Sequence, residues 1–511
     1  MPSIADLLFL LLLMSLSIGI LAPRLLGDAG TGWHIVNGQL ILRDHTITRT
    51  DPFSATMKGQ PWYAWEWLFD LAIARIHQWA GLNGVVFFAA TVIAVTFAVA
   101  FRLALRRGAS VPVALILLVL AIASSAIHLF ARPHILSWLL AVVWFEWLDA
   151  SETNLALGRD HRLFWLPVLT LFWVNVHGGF VLGFALCGIY LCSGMMRYWR
   201  TRESGEKVLL RGWLGRLAAV SGISFLTGLI NPFGYKLYLH VFQYLSDRFL
   251  MNHIDEFRSP DFHGVAQQCF AALLLVAMVS VATGRRMRLS RLLVLLFAAY
   301  SGLYASRNLP VSSLLIMLVI APQCSETLAR AADNSMIATW LRRFLTWQRG
   351  FAQRVGELEN RMRGHLWALV AVLIGTVVCA QQGQLGSYQI MRAHFDAKRF
   401  PVGAVDELER RGIREPVFSE DYWGGYLIYR LYPQNRVFVD DRHDFYGDAF
   451  LKRYLKIIHV EPGWEQALKE VNPTCVLLQR ESTLTNILKE VPQWTVVYED
   501  QTATLFMKSS P

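Results

Sequence analysis

Eleven apolar stretches constrain this chain more than any other feature. They lie at about 6–23, 83–104, 111–130, 133–148, 163–177, 179–196, 216–231, 266–283, 289–305, 308–322 and 365–381. Roughly 17–25 such residues, or slightly fewer inside a bundle, cross the hydrocarbon of a bilayer as a helix. Lipid as the solvent also explains why only 17% of the chain is charged, against about 25% in soluble domains. The 18 tryptophans fit the same reading, since indoles settle at the headgroup level. A net charge of +10 could serve nucleic acid. The basic residues instead fall in short runs between apolar segments, so no nucleic-acid partner is expected. The six cysteines form no CxxC pair and give no disulfide framework or zinc site.

The first run, "MPSIADLLFLLLLMSLSIGILAP", lacks a charged leading region and an A-x-A cleavage site, so it reads as a retained span and not as a signal peptide. The stretch 62–80, "WYAWEWLFDLAIARIHQWA", has helical period but carries Glu66, Asp70, Arg75 and His77. Glu66 and Asp70 are one turn apart and share a face. This stretch reads as an interfacial helix within a large first outer loop, 24–82. With the N-terminus in the cytoplasm, Arg102, Arg106 and Arg107 fall inside. So do Arg159 and Arg162, the run from Arg197 to Arg216, the cluster Arg285, Arg286, Arg288 and Arg291, and the long loop 323–364. That is the pattern the positive-inside rule requires. Counting 62–80 as a span would put most of these clusters outside.

Residues 1–384 thus read as a membrane domain. From about 385 the pattern changes. "PVGAVDELERRGI" reads as a helix with a glycine stop, "EPVFSED" as a strand, "YWGGYLIYRLY" as a helix and "RVFVDD" as a strand. A helix at "GWEQALKEV", a strand at "PTCVLLQ", a helix near 482–490 and a closing hairpin follow. Residues 385–511 are therefore expected to form a small α/β domain outside the cytoplasm. The fold class is a polytopic α-helical membrane protein of about 11 transmembrane helices with a C-terminal α/β extracytoplasmic domain.

Polar residues gather at the outer turns of this topology. The first span exits into "GDAGTGWHIVNGQ", with Asp28, Trp33 and His34. "FARPH" brings Arg132 and His134, "WVNVHGG" brings Asn175 and His177, "INPFGYK" brings Asn231, and "SRNLP" brings Arg307 and Asn308. Polar groups in a bundle need partners or a function. Arg132 and Arg307 lie on the side that the rule disfavours for arginine, and guanidinium binds phosphate in a bidentate fork. The structural alternatives are helix capping, tight turns and snorkelling; for Asp28 they are an N-cap or a pair with Arg24. "DDRHDFYGD" is dense enough in acids for a cation, or is a solvated loop with internal Asp–Arg pairs.

The order of these parts resembles the GT-C superfamily of glycosyltransferases: one span, an acid early in the first outer loop, interfacial helices, a many-span bundle and a small outer domain. "GWHIVNGQLILRDHTITRTDPFS", "GQPWYAWEWLFD", "WVNVHGG", "NPFGYKLY", "SRNLP" and "DYWGGYLIYRLYP…VFVDDRHDFYG" are also similar to a set of bacterial multi-span proteins. The resemblance implies an inverting hexosyl- or pentosyltransferase of the bacterial inner membrane, using a polyprenyl-phosphate-linked sugar. Its acceptor is a glycan, lipid or protein. Asp28 matches the family's first-loop acid and would be the general base. Glu66 would be a second acid or part of a metal site. Trp33, His34, Arg132, His134, Asn175, His177, Asn231, Arg307 and Asn308 would bind substrate and phosphate. Some members use a divalent cation, so Mg2+ or Mn2+ is a candidate cofactor. "GDAG" departs from members with paired first-loop acids, and "DYWGGYL" shares Trp, Gly and Tyr with the WWDYG motif but not their order. The competing readings are a transporter or flippase, and a non-catalytic assembly protein using its α/β domain to bind a partner.

Overall fold

The computed structural model describes residues 1–155, 161–334, 338–362 and 365–509; Arg159 and part of the 323–364 loop lie outside them. Every apolar run is helical at its core. The helices are α1 (Ile4–Ser17), α2 (Gly30–Asp44), α3 (Trp67–Arg106), α4 (Val111–Ser125), α5 (His134–Thr153), α6 (Leu166–Val176) and α7 (Val181–Arg200). They continue with α8 (Ser204–Thr227), α9 (Val265–Thr283), α10 (Leu289–Tyr304), α11 (Leu309–Asp333), α12 (Thr339–Arg361) and α13 (His365–Ala380). Among the described residues six helices are long and apolar enough to cross a membrane, or seven if α12 and α13 count as one span. The chain is a helical membrane protein. The remaining apolar runs form shorter or less apolar helices, because their ends are turns.

Local chemistry sets several boundaries. Ser3 and Asp6 form a capping box at the start of α1, and Glu359 from α12 accepts the Ile4 N–H at 2.6 Å. The interfacial stretch starts as helix at Trp67, not at 62, and runs on into the following span. Gly81, at φ 58° and ψ −155°, breaks the two apart. Only glycine visits that backbone region readily. Arg102, Asp6 and His365 meet at one end of the bundle. At that same end of α3, Arg107 bonds Glu146 and pairs with Asp149, and Asp149 also holds Arg291.

The C-terminal part contains α14 (Val402–Arg411), α15 (Gly424–Leu431), α16 (Asp448–Ile458), α17 (Trp464–Val471) and α18 (Thr483–Glu490). Its strands are β1 (Val417–Ser419), β2 (Cys475–Gln479), β3 (Trp494–Glu499) and β4 (Ala503–Lys508), in the order β1-β2-β4-β3. β1 and β2 are parallel, and the other two pairs are antiparallel. α14 ends at Gly412, which is left-handed at φ 64°. "RVFVDD" is not a strand. Val437 makes only isolated bridges, to Ser54 and Val417. Its backbone is committed to the first loop: Phe53 O accepts from Val437 N, and Val437 O accepts from Ala55 N. One apolar core runs through both parts, joining Trp33, Phe53 and Trp62 to Trp423, Tyr426 and Leu427.

Candidate active site

Asp28, Arg132 and Asp441 converge at the end of the bundle beyond Ser17. Asp28 precedes α2, and its Oδ1 accepts the Gly30 N–H at 2.8 Å. The Arg132 Nη1 donates to Asp28 Oδ2 at 3.1 Å and lies 3.7 Å from Asp441 Oδ2. Asp441 comes from "DDRHDFYGD", more than four hundred residues downstream. Gly30 and Gly32 lie inside α2 and do not form a sharp turn. A Cβ on Gly30 would stand 2.5 Å from Asp441 Oδ2, 2.9 Å from Asp28 Oδ1 and 3.1 Å from Arg132 Cζ. A Cβ on Gly32 would collide with the Gly425 carbonyl of α15. Both glycines therefore let α2 approach the outer part closely.

Beside this group stands a buried network. His34 and Asp70 share a 2.6 Å hydrogen bond, and Asn37 Nδ2 donates to the other Asp70 oxygen at 2.6 Å. The Thr48 hydroxyl donates to Asn37 Oδ1. His34 Nε2 is buried without a hydrogen-bond partner, 3.7 Å from Glu66 Oε2. On the other side of Glu66, His177 Nε2 lies 3.6 Å from Oε1. The His177 Nδ1 accepts from the Gly179 N–H, so Nε2 carries the ring proton toward the acid. Trp33 stacks on His34 with ring centroids 3.6 Å apart, and its own indole N–H has no partner.

Burial, joined by the charge of Asp70, raises the Glu66 carboxyl to about 8, although Arg132 and Arg307 pull it down. Burial also raises Asp441, to about 7, against the pull of Arg132. His34 is pushed well below the ordinary imidazole range, first by burial and then by Arg132.

Arg307 lies within electrostatic range of Glu66 but holds a separate set of partners. It donates to the Tyr244 hydroxyl at 3.0 Å, pairs with Glu256 at 3.6 Å and lies over the Phe257 ring. Burial raises the Glu256 carboxyl, but Arg307 and Arg132, joined by His128 and His134, together outweigh it and hold the acid at about 2. His134 turns back to the His128 carbonyl at 2.9 Å. The asparagines have structural partners. Asn175 takes the Trp67 indole N–H and donates to Leu171 and Ile230 carbonyls. Asn231 closes its own turn through Gly228, Gly234 and Phe233. Asn308 donates to the Ser301 carbonyl. Their amides are occupied by backbone and neighbouring rings, because each terminates or joins a helix.

The "DDRHDFYGD" segment buries Asp440, Arg442 and Tyr446 and leaves Asp444 exposed, and it carries the internal Asp–Arg pair that its sequence suggested. Arg442 binds Asp440 at 2.7 Å and Asp51 at 2.8 Å, and its guanidinium lies over Phe53, Trp62 and Phe445. His443 binds Asp421 at 2.7 Å. Burial lowers its pKa, but this bond and the charges of Asp421, Asp441 and Asp440 together outweigh burial and raise it to about 9. Asp441, Asp70 and Glu256 were not among the residues that sequence placement selected; the acid density of "DDRHDFYGD" and the shared face of Glu66 and Asp70 were the available signals. Among the described residues no group of three or more His, Cys, Asp or Glu could hold a metal ion. The cation that Asp28 and Asp441 share is Arg132.

No family model matches the chain, and no curated protein matches it in sequence. Solved structures do match in shape. The oligosaccharyltransferase of Archaeoglobus fulgidus, tethered to an acceptor peptide containing the NVT sequon, superposes with a TM-score of 0.54 at 11% identity. That match covers 99% of this chain and 74% of the other. ArnT from Cupriavidus metallidurans, bound to undecaprenyl phosphate, gives a TM-score of 0.48 at 13% identity, covering 98% and 96%. The chain therefore shares the fold of the Archaeoglobus oligosaccharyltransferase, the kind of fold that the sequence resemblance implied.

Proposed function

We propose that this chain is a membrane glycosyltransferase that moves a hexosyl or pentosyl group from a polyprenyl-phosphate donor to an acceptor outside the cytoplasm. The observation that supports this most is the convergence of Asp28 and Asp441 on Arg132, in a chain with an oligosaccharyltransferase fold. In this reading the acceptor hydroxyl attacks the anomeric carbon from the face opposite the phosphate. The bond from that carbon to the phosphate oxygen breaks, and the oxygen leaves with the electron pair. Asp28 takes the hydroxyl proton. Arg132 orients Asp28 through its 3.1 Å contact and, with Arg307, offsets the charge growing on the phosphate. Glu66, between His34 and His177, is a second acid close to the reacting groups.

The same reading places eleven spans in a bacterial inner membrane, with the N-terminus in the cytoplasm and the α/β domain outside. Asp28 and Asp441 already share the Arg132 guanidinium, so no step of this reading is routed through a Mg2+ or Mn2+ ion. The test is transfer from a radiolabelled polyprenyl-phosphate sugar by wild type, Asp28→Asn and Asp441→Asn. Loss of a general base costs about 10²–10⁴-fold. Turnover of Asp28→Asn equal to wild type would remove Asp28 from the mechanism.

A further inference from the structure

α12 is strongly amphipathic and largely exposed. It packs on α11 and buries only Leu345 and Ala352. Arg349 is tied to Asp333 at the end of α11, and Glu359 holds the start of α1. The helix is therefore seated at the end of the bundle opposite Asp28. Its other surfaces are open. Trp340, Phe344, Trp347 and Phe351 are large, apolar and between 41% and 73% exposed. Their helical spacing puts them on one stripe, and Phe344, Trp347 and Phe351 contact one another in sequence.

Next to the stripe is a concavity lined by Arg342, Arg343, Thr346, Trp347, Gly350 and Arg354. It has a physical cause. Residues 342, 346, 350 and 354 succeed one another at single-turn spacing, and Gly350 leaves a gap in that row with no atom within 4 Å of where its Cβ would be. Guanidinium groups stand at both ends of the gap. Among the described residues, none of Arg342, Arg343 and Arg354 has a carboxylate partner. Three unneutralised cations around a hole, bordered by exposed indole and phenyl rings, match a ligand with an anionic head and an apolar body.

We infer that the Gly350 concavity of α12 is a binding site for the phosphate headgroup of an anionic phospholipid, with the aromatic stripe contacting its acyl chains. A free phosphate would use the arginines and leave the stripe exposed; a lipid engages both. The inference needs only that α12 lies at the membrane surface, and it is independent of the glycosyltransferase reading. Guanidinium suits a phosphodiester because its planar fork donates two parallel hydrogen bonds. Basic residues near a bilayer add attraction to anionic lipid in the same direction.

The experiment is native mass spectrometry of the full chain in detergent, titrated separately with phosphatidylglycerol, phosphatidylcholine and inorganic phosphate. Wild type is expected to retain phosphatidylglycerol and to discriminate against phosphatidylcholine. The double variant Arg343→Gln/Arg354→Gln should lose roughly tenfold or more of that affinity. Gly350→Leu is the sharper variant. It keeps every arginine, fills the concavity and improves helix propensity, so it should fold as well as wild type while losing the lipid. Equal retention of the two lipids, or unchanged phosphatidylglycerol binding in Gly350→Leu, would overturn the assignment. Binding of inorganic phosphate with the same affinity as the lipid would overturn the part played by the aromatic stripe.

Discussion

His34 and Asp70 share a 2.6 Å hydrogen bond at a point where neither side chain is more than 1% exposed. One comes from α2 and the other from α3, and their bond joins the first-loop helix to the helix that becomes a span. Asp70 also accepts from Asn37 at 2.6 Å. Asp70→Leu would leave the His34 Nδ1 and the Asn37 amide nitrogen buried without these partners. Each such group costs about 1–3 kcal/mol, so the variant should unfold at a clearly lower temperature. Scanning fluorimetry of the purified protein in detergent reads this directly. An unchanged midpoint would mean that the bond contributes nothing to the fold.

Gly30 tests the geometry at Asp28. In Gly30→Ala the new methyl would press on Asp441, Asp28 and Arg132 at once. The ion pairs must open by some tenths of an ångström or more, whereas the helix itself tolerates alanine well. Misplacement on the ångström scale costs about a hundredfold in rate. The expected outcome is a large drop in kcat for sugar transfer with normal expression and thermal stability. Transfer within about twofold of wild type would show that the Asp28–Arg132–Asp441 arrangement is not the reacting centre.

Glu66 predicts a pH dependence. Its carboxyl is raised from 4.5 to about 8 by burial and by Asp70, while its side chain keeps 22% exposure. The fold holds the proton over a range in which the unfolded chain has released it. Stability from this group is therefore complete below about pH 4.5, declines as pH rises and is lost by about pH 8. Glu66→Gln keeps the neutral shape and should be less sensitive. Unfolding midpoints from pH 5 to pH 8 should show the variant gaining on wild type as pH increases. A constant difference across that range would refute the raised pKa.

Arg442 fastens the C-terminal part to the first loop. It bonds Asp440 within its own segment and Asp51 across 391 residues of sequence. Removing one member of a buried ion pair typically costs about 3–5 kcal/mol, so Arg442→Ala should expose the junction near Asp51. Limited proteolysis should then cut between residues 45 and 61 faster than in wild type. Arg442→Lys should recover only part of the protection, since an ammonium cannot bind both acids and cover three rings in the same way. Equal cutting rates in wild type and Arg442→Ala would place the fastening elsewhere.

The sequence by itself determined where the chain is helical, because long apolar runs have no other stable state in lipid. It also placed Asp28, Arg132, His177 and Arg307 at span ends, since polar groups collect where helices leave the bilayer. The α/β character of the C-terminal part was legible for the same reason: periodicity is a local property, readable within ten or so residues. The failures have a common cause. "RVFVDD" has a strand's pattern, but its backbone divides its bonds between Val417 of β1 and the first loop and forms only isolated bridges. Asn175, Asn231 and Asn308 have the chemistry of ligand groups, but neighbouring carbonyls occupy them. Asp441 was one acid among several in "DDRHDFYGD" until the fold placed it against Arg132. Which polar groups satisfy one another and which are left facing a common site depends on contacts across hundreds of residues, and only the tertiary structure decides that.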